Sequence, residues 1–366
     1  MLVLLRTISL LTLLGCATGT AAVQQPPLGA VTSLGDMTQG RALHTATLLP
    51  DGLVLITGGL GSASAIRSAE LYDPATGTTR PTGTMAVGRM SHTATMLPGG
   101  TVLIVGGYGS GLAGLTTAEL FDPATGRFTA AAGLQEPRSD HAAVLLDDGR
   151  VLIIGGDTSG VGRTPTAAAG LYDPATGTFT LTGRMHVPRV PFVAVRLRDG
   201  RVLVAGGTTT GKAVTPTAEI YDPSTGLFTL TGSLRTARRK HAGFLLADGR
   251  VLVVGGTTGG DDSHVLDDAE VFDPTTGGFS TASPMLEPRY KFTTVTLPAG
   301  SALAVGGSGE LAEVYDATSG AFHPVGGATA ALRLFPTATA LADGSVLITG
   351  GYSGRGPQAT VWRYRP

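Results

Sequence analysis

Seven times along the chain a short apolar run rises out of mixed sequence and stops at a pair of glycines. The pairs begin at Gly58, Gly106, Gly155, Gly206, Gly255, Gly306 and Gly350, at intervals of 44 to 51 residues. A period this long is too great for the helices of a solenoid and suits one four-stranded sheet per unit.

Within a unit the turns mark the strands. The alternating stretch HTATLL at 44–49 is followed by Pro50-Asp51-Gly52, then by LVLITGG, then by a loop of varied length. AELYDP at 69–74 and the turn Ala75-Thr76-Gly77 lead into a fourth strand. Glycine after a polar turn residue supplies the positive φ that a tight hairpin needs. Four strands result, each antiparallel to its neighbour. The seventh unit ends after TVWRYRP, which fills only its third strand, while VTSLGDM at 31–37 aligns with fourth-strand segments such as FTLTGRM at 179–185. The sequence therefore predicts an all-β, seven-bladed propeller of four-stranded antiparallel blades, the last closed by the N-terminal strand without an exposed end blade.

Gly-Gly ending strand two, an aromatic-Asp pair closing strand three and an aromatic on strand four together resemble the kelch repeat. Aromatic-Asp stands at Tyr72, Phe121, Tyr172, Tyr221, Phe272 and Tyr315, and Phe128, Phe179, Phe228, Phe279 and Phe322 take the place of the usual strand-four Trp. The resemblance spans nearly all of residues 30–366 and implies a kelch β-propeller like the central domain of galactose oxidase.

Composition agrees with a turn-rich, strand-built chain: 55 glycines are about double the usual share, and charged residues make up only 14%. Net charge is −1 and the 26 basic residues are scattered, so no stripe exists for a phosphate backbone and nucleic acid is not an expected partner. The single cysteine, Cys16, rules out an intrachain disulfide, a Cys-rich zinc site and a cysteine nucleophile in the propeller.

Residues 1–15 carry one charge, Arg6, and an apolar run too short to span a bilayer comfortably, and they read as an export signal. Leu13, Leu14 and Gly15 before Cys16 resemble the lipobox of bacterial lipoproteins, which implies acylation at Cys16. The expected layout is a signal peptide at 1–15, a tether at 16–28 and the propeller at 29–366. The resemblance implies an outer-membrane or cell-surface lipoprotein, since Ala17 rather than Asp follows the cysteine. The alternative is cleavage near Ala21 and Ala22, giving a periplasmic or secreted protein.

An arginine precedes strand one in every unit, at Arg41, Arg89, Arg138, Arg189, Arg238, Arg289 and Arg333, and Glu70, Glu119, Glu219, Glu270 and Glu313 share one register at the start of strand three. Seven guanidinium groups on one rim could bind carboxylates or acidic glycans. The structural alternative is an ion pair within each blade, Arg41–Glu70, Arg89–Glu119, Arg189–Glu219, Arg238–Glu270 and Arg289–Glu313, reaching across two strand spacings, about 9.6 Å, over the side-chain-free Gly-Gly. Two units carry Gly170 and Thr360 instead of the acid. Arg138 and Arg333 are then left over as binding candidates.

His44, His92, His141 and His241 occupy one position in four units, where Phe192, Phe292 and Pro336 stand in the others. Interchange with Phe points to packing between blades rather than to a metal. The copper-radical chemistry of galactose oxidase requires a propeller Cys, which is missing. Sialic-acid mutarotases are similar exported kelch proteins, and this resemblance leaves a carbohydrate isomerase open. No residue singles itself out as catalytic, and no cofactor is expected.

Residues without repeat equivalents collect on loops that emerge at one face. Tyr108, Asp157, Asp261, Asp262, His264 and Tyr352 follow Gly-Gly pairs, while Arg239, Lys240, Tyr290 and Lys291 enter strand one. The reading is a monomeric, lipid-tethered binding module that holds a protein or carbohydrate on this face, with a carbohydrate isomerase and a structural envelope protein as alternatives.

Overall fold

A computed structural model of the chain describes residues 26–159, 164–327 and 333–366, so Cys16 and most of the expected tether lie outside the described residues. Seven sheets form a ring, six of them built of four consecutive strands each and the seventh from both ends of the chain. In the first blade these are Thr45–Leu48, Val54–Thr57, Ser68–Asp73 and Thr78–Thr84. The order repeats through the sixth blade, which ends on Ala321–Pro324.

The second strands explain the apolar runs. Val54–Thr57, Val102–Val105, Val151–Ile154, Val202–Ala205, Val251–Val254, Ala302–Gly306 and Val346–Thr349 are buried at every residue. Each lies in the middle of its blade with a neighbouring blade on both faces, and successive side chains alternate between the two. Leu55 packs with Val102, Ile104 and Phe121 of the second blade, whereas Val54 and Ile56 pack with Leu347 and Val361 of the seventh. The core is thus seven interblade layers, in which each buried Val, Leu or Ile contributes about 2 kcal/mol. The aromatic of strand three meets its strand-four partner directly, with Tyr172 and Phe179 ring centroids 4.9 Å apart.

The seventh blade is assembled from both ends of the chain. Thr337–Ala340, Val346–Thr349 and Gly356–Arg365 are followed, on the outside, by Ala30–Arg41. Val31 pairs with Tyr364 and Ser33 with Trp362 in antiparallel register. Met37 from this strand is buried between the seventh and first blades.

Glycine pairs lock each blade to the next. Gly59 N–H donates to Arg89 O at 2.8 Å, and Gly107, Gly207 and Gly256 donate to Arg138, Arg238 and Arg289 at the same distance. A Cβ at Gly58 would stand 2.5 Å from Arg89 O and 2.8 Å from the His92 ring. The positive φ of 61° at Gly58 and 102° at Gly59 adds a second reason for glycine. At the first glycine this corrects the expectation that the pair only makes room for the arginine of its own blade, because the groups a side chain would strike belong to the following blade, whereas at the second glycine they belong to its own, Ala42 O and His44 Cβ for Gly59.

The arginines do cross to their glutamates. Arg41 lies 2.7 Å from Glu70, Arg89 2.8 Å from Glu119, Arg189 2.7 Å from Glu219 and Arg238 2.8 Å from Glu270, and Arg289 meets Glu313. All five arginines are fully buried. On the way each guanidinium donates to the carbonyl of the first glycine, as Arg41 does to Gly58 at 2.8 Å. The other carboxylate oxygen takes an N–H from the segment leading into the blade: Thr38, near the end of the strand Ala30–Arg41, at 2.7 Å for Glu70 and Arg235 at 2.7 Å for Glu270. One carboxylate therefore ties strand three to the incoming chain, and the pair anchors that segment.

Candidate functional site at the axial mouth

Two residues beyond each arginine the chain makes a sharp step. Leu43, Ser91, Asp140, Lys240, Lys291 and Phe335 all have φ between 48° and 57°, a region that costs a non-glycine residue about 1–2 kcal/mol. The seventh position is Pro191, whose ring forbids that φ. Part of the cost is offset by bonds that run around the axis from blade to blade. Ser91 N–H donates to Leu43 O at 3.0 Å, Asp140 to Ser91 at 3.1 Å, Lys291 to Lys240 at 3.2 Å and Phe335 to Lys291 at 2.9 Å.

All seven residues line one cavity of about 390 Å³, which therefore sits over the central axis, on the face where the Gly-Gly loops emerge. Every one of them is half-buried. Just below, the ring of imidazoles and phenyls is packed away. His44 Nε2 lies 2.8 Å from Thr349 Oγ1 of the preceding blade and His141 Nε2 2.9 Å from Thr93 Oγ1. Burial, with smaller contributions from nearby arginines, brings the His44, His141 and His241 pKa values down to about 3. Phe192 and Phe292 occupy the same place against Gly155 and Gly255. These rings are spacers between blades.

The wall of the mouth is chemically two-sided. On one side Tyr108 O–H donates to Asp157 Oδ2 at 2.7 Å, and Asp157 Oδ1 accepts Thr164 N–H at 2.7 Å and Ser159 N–H at 3.1 Å. Burial raises the Tyr108 pKa, so the phenol stays a neutral donor. On the other side three cations share one carboxylate. Asp262 meets Arg239 at 2.8 Å, Lys291 at 2.9 Å and, closest, Lys240. Against the burial that would raise it, hydrogen bonds from Lys240 and Lys291 hold the Asp262 pKa at about 2. Burial outweighs the Asp262 bond at Lys240 and lowers its pKa to about 8. The Tyr290 ring lies 4.9 Å from Lys291 Nζ, whose other side faces Phe335 at 5.3 Å.

Of the residues singled out in the sequence, Tyr108, Asp157, Lys240, Asp262 and Lys291 come together here. Arg239 is buried and spent on Asp262 and Gly259 O, so it holds the lysine pair from behind instead of facing a ligand. Tyr352 is exposed in a short hairpin with Pro357 and does not line the cavity. Arg138 does not line the mouth: it is 3% exposed and paired at 2.8 Å with Glu136 of its own loop, beside a separate cavity of the third blade. Arg333 is half-buried and does not line the mouth; its carbonyl takes the interblade bond from Gly307 at 3.0 Å.

Leu43, Ser91, Asp140, Pro191 and Phe335 were not foreseen. Their signal was present as the second of two variable places that follow the repeated arginine. A larger and shallower cleft of about 530 Å³ opens between turns of the third and fourth blades. It is lined by turn residues that each blade repeats, and its Arg201 is paired with Asp199 at 2.7 Å. Among the described residues no three His, Cys, Asp or Glu side chains converge as a metal-ligand set.

Comparison with known proteins bears on the fold. The Kelch motif family matches residues 238–286, from the arginine of the fifth blade to the loop after its outer strand. Among solved structures, a fungal alcohol oxidase of the AA5 family in complex with copper is similar with a TM-score of 0.71 and 17% identity, covering 92% of this chain and 76% of that one. At that identity the likeness speaks for architecture alone. No curated protein matches. Seven four-stranded blades in a closed ring, with the motif recognised in the fifth, make this chain a kelch-repeat β-propeller.

Proposed function

We propose that the chain is an exported, monomeric binding module that holds a protein or carbohydrate ligand over its axial mouth. One observation carries this reading. Seven structurally equivalent positions, six in a costly backbone conformation, bear Leu, Ser, Asp, Pro, Lys, Lys and Phe around a single cavity, while the flanking arginine never varies. Packing explains the constant positions, and strain kept at variable ones marks a place where side chains are displayed. Kelch propellers generally act as interaction modules, which supports the same face.

The lysine side suits an anionic group and the Tyr108–Asp157 side suits hydroxyls, so acidic glycans and acidic peptide loops are the ligands of choice. Lys240, with a pKa near 8, can also take and return a proton at neutral pH, and this favours sugar mutarotation as the second reading. Lipid attachment at Cys16 rests on the segment Leu13-Leu14-Gly15 before it. Fatty-acid labelling of cells, lost on Cys16→Ala, tests the anchor.

The binding test is a glycan array read with the purified protein, followed by titration of the best ligand. Lys240→Ala together with Lys291→Ala should weaken it at least tenfold. A ligand bound equally well by that double variant lies elsewhere and overturns the assignment of the mouth. Catalysed interconversion of sugar anomers, followed by polarimetry, would establish the isomerase.

A further inference from the structure

The third blade departs from its siblings at one position. The seventh carries Thr360 there. In the five other blades a strand-three carboxylate lies against the buried arginine and accepts backbone N–H groups from the entering chain: His186 and Val187 donate to Glu219 at 2.7 and 3.1 Å, and Arg235 and Thr236 to Glu270 at 2.7 and 3.1 Å. Gly170 occupies that register in the third blade, opposite Ile153 and Leu181 as Glu219 is opposite Val204 and Leu230.

The missing side chain leaves space. A cavity of about 270 Å³ lies there, lined among others by Gln135, Glu136, Arg138, Gly170, Phe179 and Arg184. A Cβ on Gly170 would meet only Thr180 O, at 3.2 Å. Arg138 keeps its place, donating to Ala168 O at 2.8 Å, but its Nη2 turns to Glu136, whose side chain is 39% exposed where its counterparts on strand three are nearly fully buried. The amides of Gln135 and Glu136 correspond to those of Arg235 and Thr236, and no carboxylate from strand three reaches them.

The fold builds a carboxylate receptor from one guanidinium and the entering loop's amides and fills it from strand three in five blades. In the third blade the receptor stands with room inside it. We propose that this cavity binds a carboxylate brought from outside the blade, with Arg138 as its charged partner, Arg184 as a second cation and Phe179 against its aliphatic stem. Glu136, half outside already, swings out when the ligand enters. The ligand is either a short aliphatic acid or an acidic side chain of a protein segment, which present the same group. This site is separate from the axial mouth, and its success or failure leaves that assignment untouched.

Propionate titration of the purified protein at constant ionic strength tests it, with thermal unfolding and calorimetry as readouts. Saturating propionate should raise the midpoint by about 2 °C, and propionamide should not. Gly170→Glu supplies the carboxylate internally and should abolish the response. Glu136→Gln removes the competing acid and should tighten propionate binding at least threefold, so it decides the matter even if Gly170→Glu fails to fold. Equal responses from the wild type and a folded Gly170→Glu, or no binding by either the wild type or Glu136→Gln, would overturn the proposal. A blocked Ala-Glu-Ala peptide that displaces propionate at a tenth of its concentration, where Ala-Gln-Ala does not, identifies the source as a protein segment; displacement no better than propionate itself identifies the small acid.

Discussion

The backbone N–H of Gly351 donates to the carbonyl oxygen of Arg41 at 2.8 Å, joining the seventh blade to the first. Gly59 and Arg89 make the same bond inside the ring. The junction between the seventh and first blades thus carries the same main-chain bond as the others, while the chain ends themselves meet inside the seventh blade, where Ala30–Arg41 pairs with Gly356–Arg365.

If so, Gly351→Ala and Gly59→Ala should destabilise alike. Both residues have φ above 100°, and an added Cβ would stand 2.8 Å from Arg333 Cβ at the first and 2.8 Å from Ala42 O at the second. Each substitution should cost about 3 kcal/mol in urea unfolding. A loss at Gly351 less than half that at Gly59 would show a looser seam.

The buried ion pairs predict a contrast within one rim. Glu219→Ala strands a fully buried guanidinium and two loop amides, and should cost about 3–5 kcal/mol. Glu136→Ala removes a partly exposed partner of Arg138 and should cost about 1 kcal/mol or less. Denaturant midpoints of the two variants give the comparison directly.

Acid should weaken the ring through its histidines. His44, His141 and His241 titrate at about 3 when folded, below the ordinary 6.5 of an unfolded chain. Above 6.5 both states are neutral and nothing is lost. Below it the unfolded chain takes up protons that the folded one refuses, so stability falls steadily toward pH 3. The loss is about 1.4 kcal/mol per pH unit for each histidine, or about 2 kcal/mol each by pH 5. His44→Phe, which copies the residue of the fourth and sixth blades, should flatten the pH dependence of the urea midpoint between 7.5 and 5.

At the mouth, Asp262 is what keeps Lys240 from losing its proton sooner. Asp262→Asn removes the bond and the charge that raise the Lys240 pKa, while burial, Lys291 and Arg239 go on lowering it. The Lys240 pKa should drop below 8, visible as an acid shift in the pH dependence of its acetylation followed by peptide mass spectrometry. An unchanged profile would mean that the lysine is governed by solvent.

Blade number, strand order and closure were readable because Gly-Gly marks a backbone event that repeats seven times, and aromatic-Asp one that repeats six times and is missing only from the unit the chain's start completes. The arginine-to-glutamate pairs followed from register, since both residues stand at one end of their strands. What register does not carry is the third dimension between blades. That Gly58 is glycine on account of Arg89 O, a residue 31 positions on, requires knowing how closely neighbouring sheets stack. That Arg138 has a partner was hidden for a related reason. The replacement acid, Glu136, comes from the loop two residues before it, a local rescue that a comparison confined to strand three overlooks. The mouth was half visible, through Tyr108, Asp157, Lys240, Asp262 and Lys291, while its apolar and strained members, Leu43 and Phe335, look in the sequence like ordinary loop residues.

Because the step at Leu43, Ser91, Asp140, Lys240, Lys291 and Phe335 is fixed by main-chain bonding and by the anchored arginine behind it, the identity of those side chains is nearly uncoupled from the stacking of the sheets. The rim can consequently drift through new combinations while the scaffold stays fixed. Homologous rings with the same interior are then free to differ in what they recognise, one blade at a time.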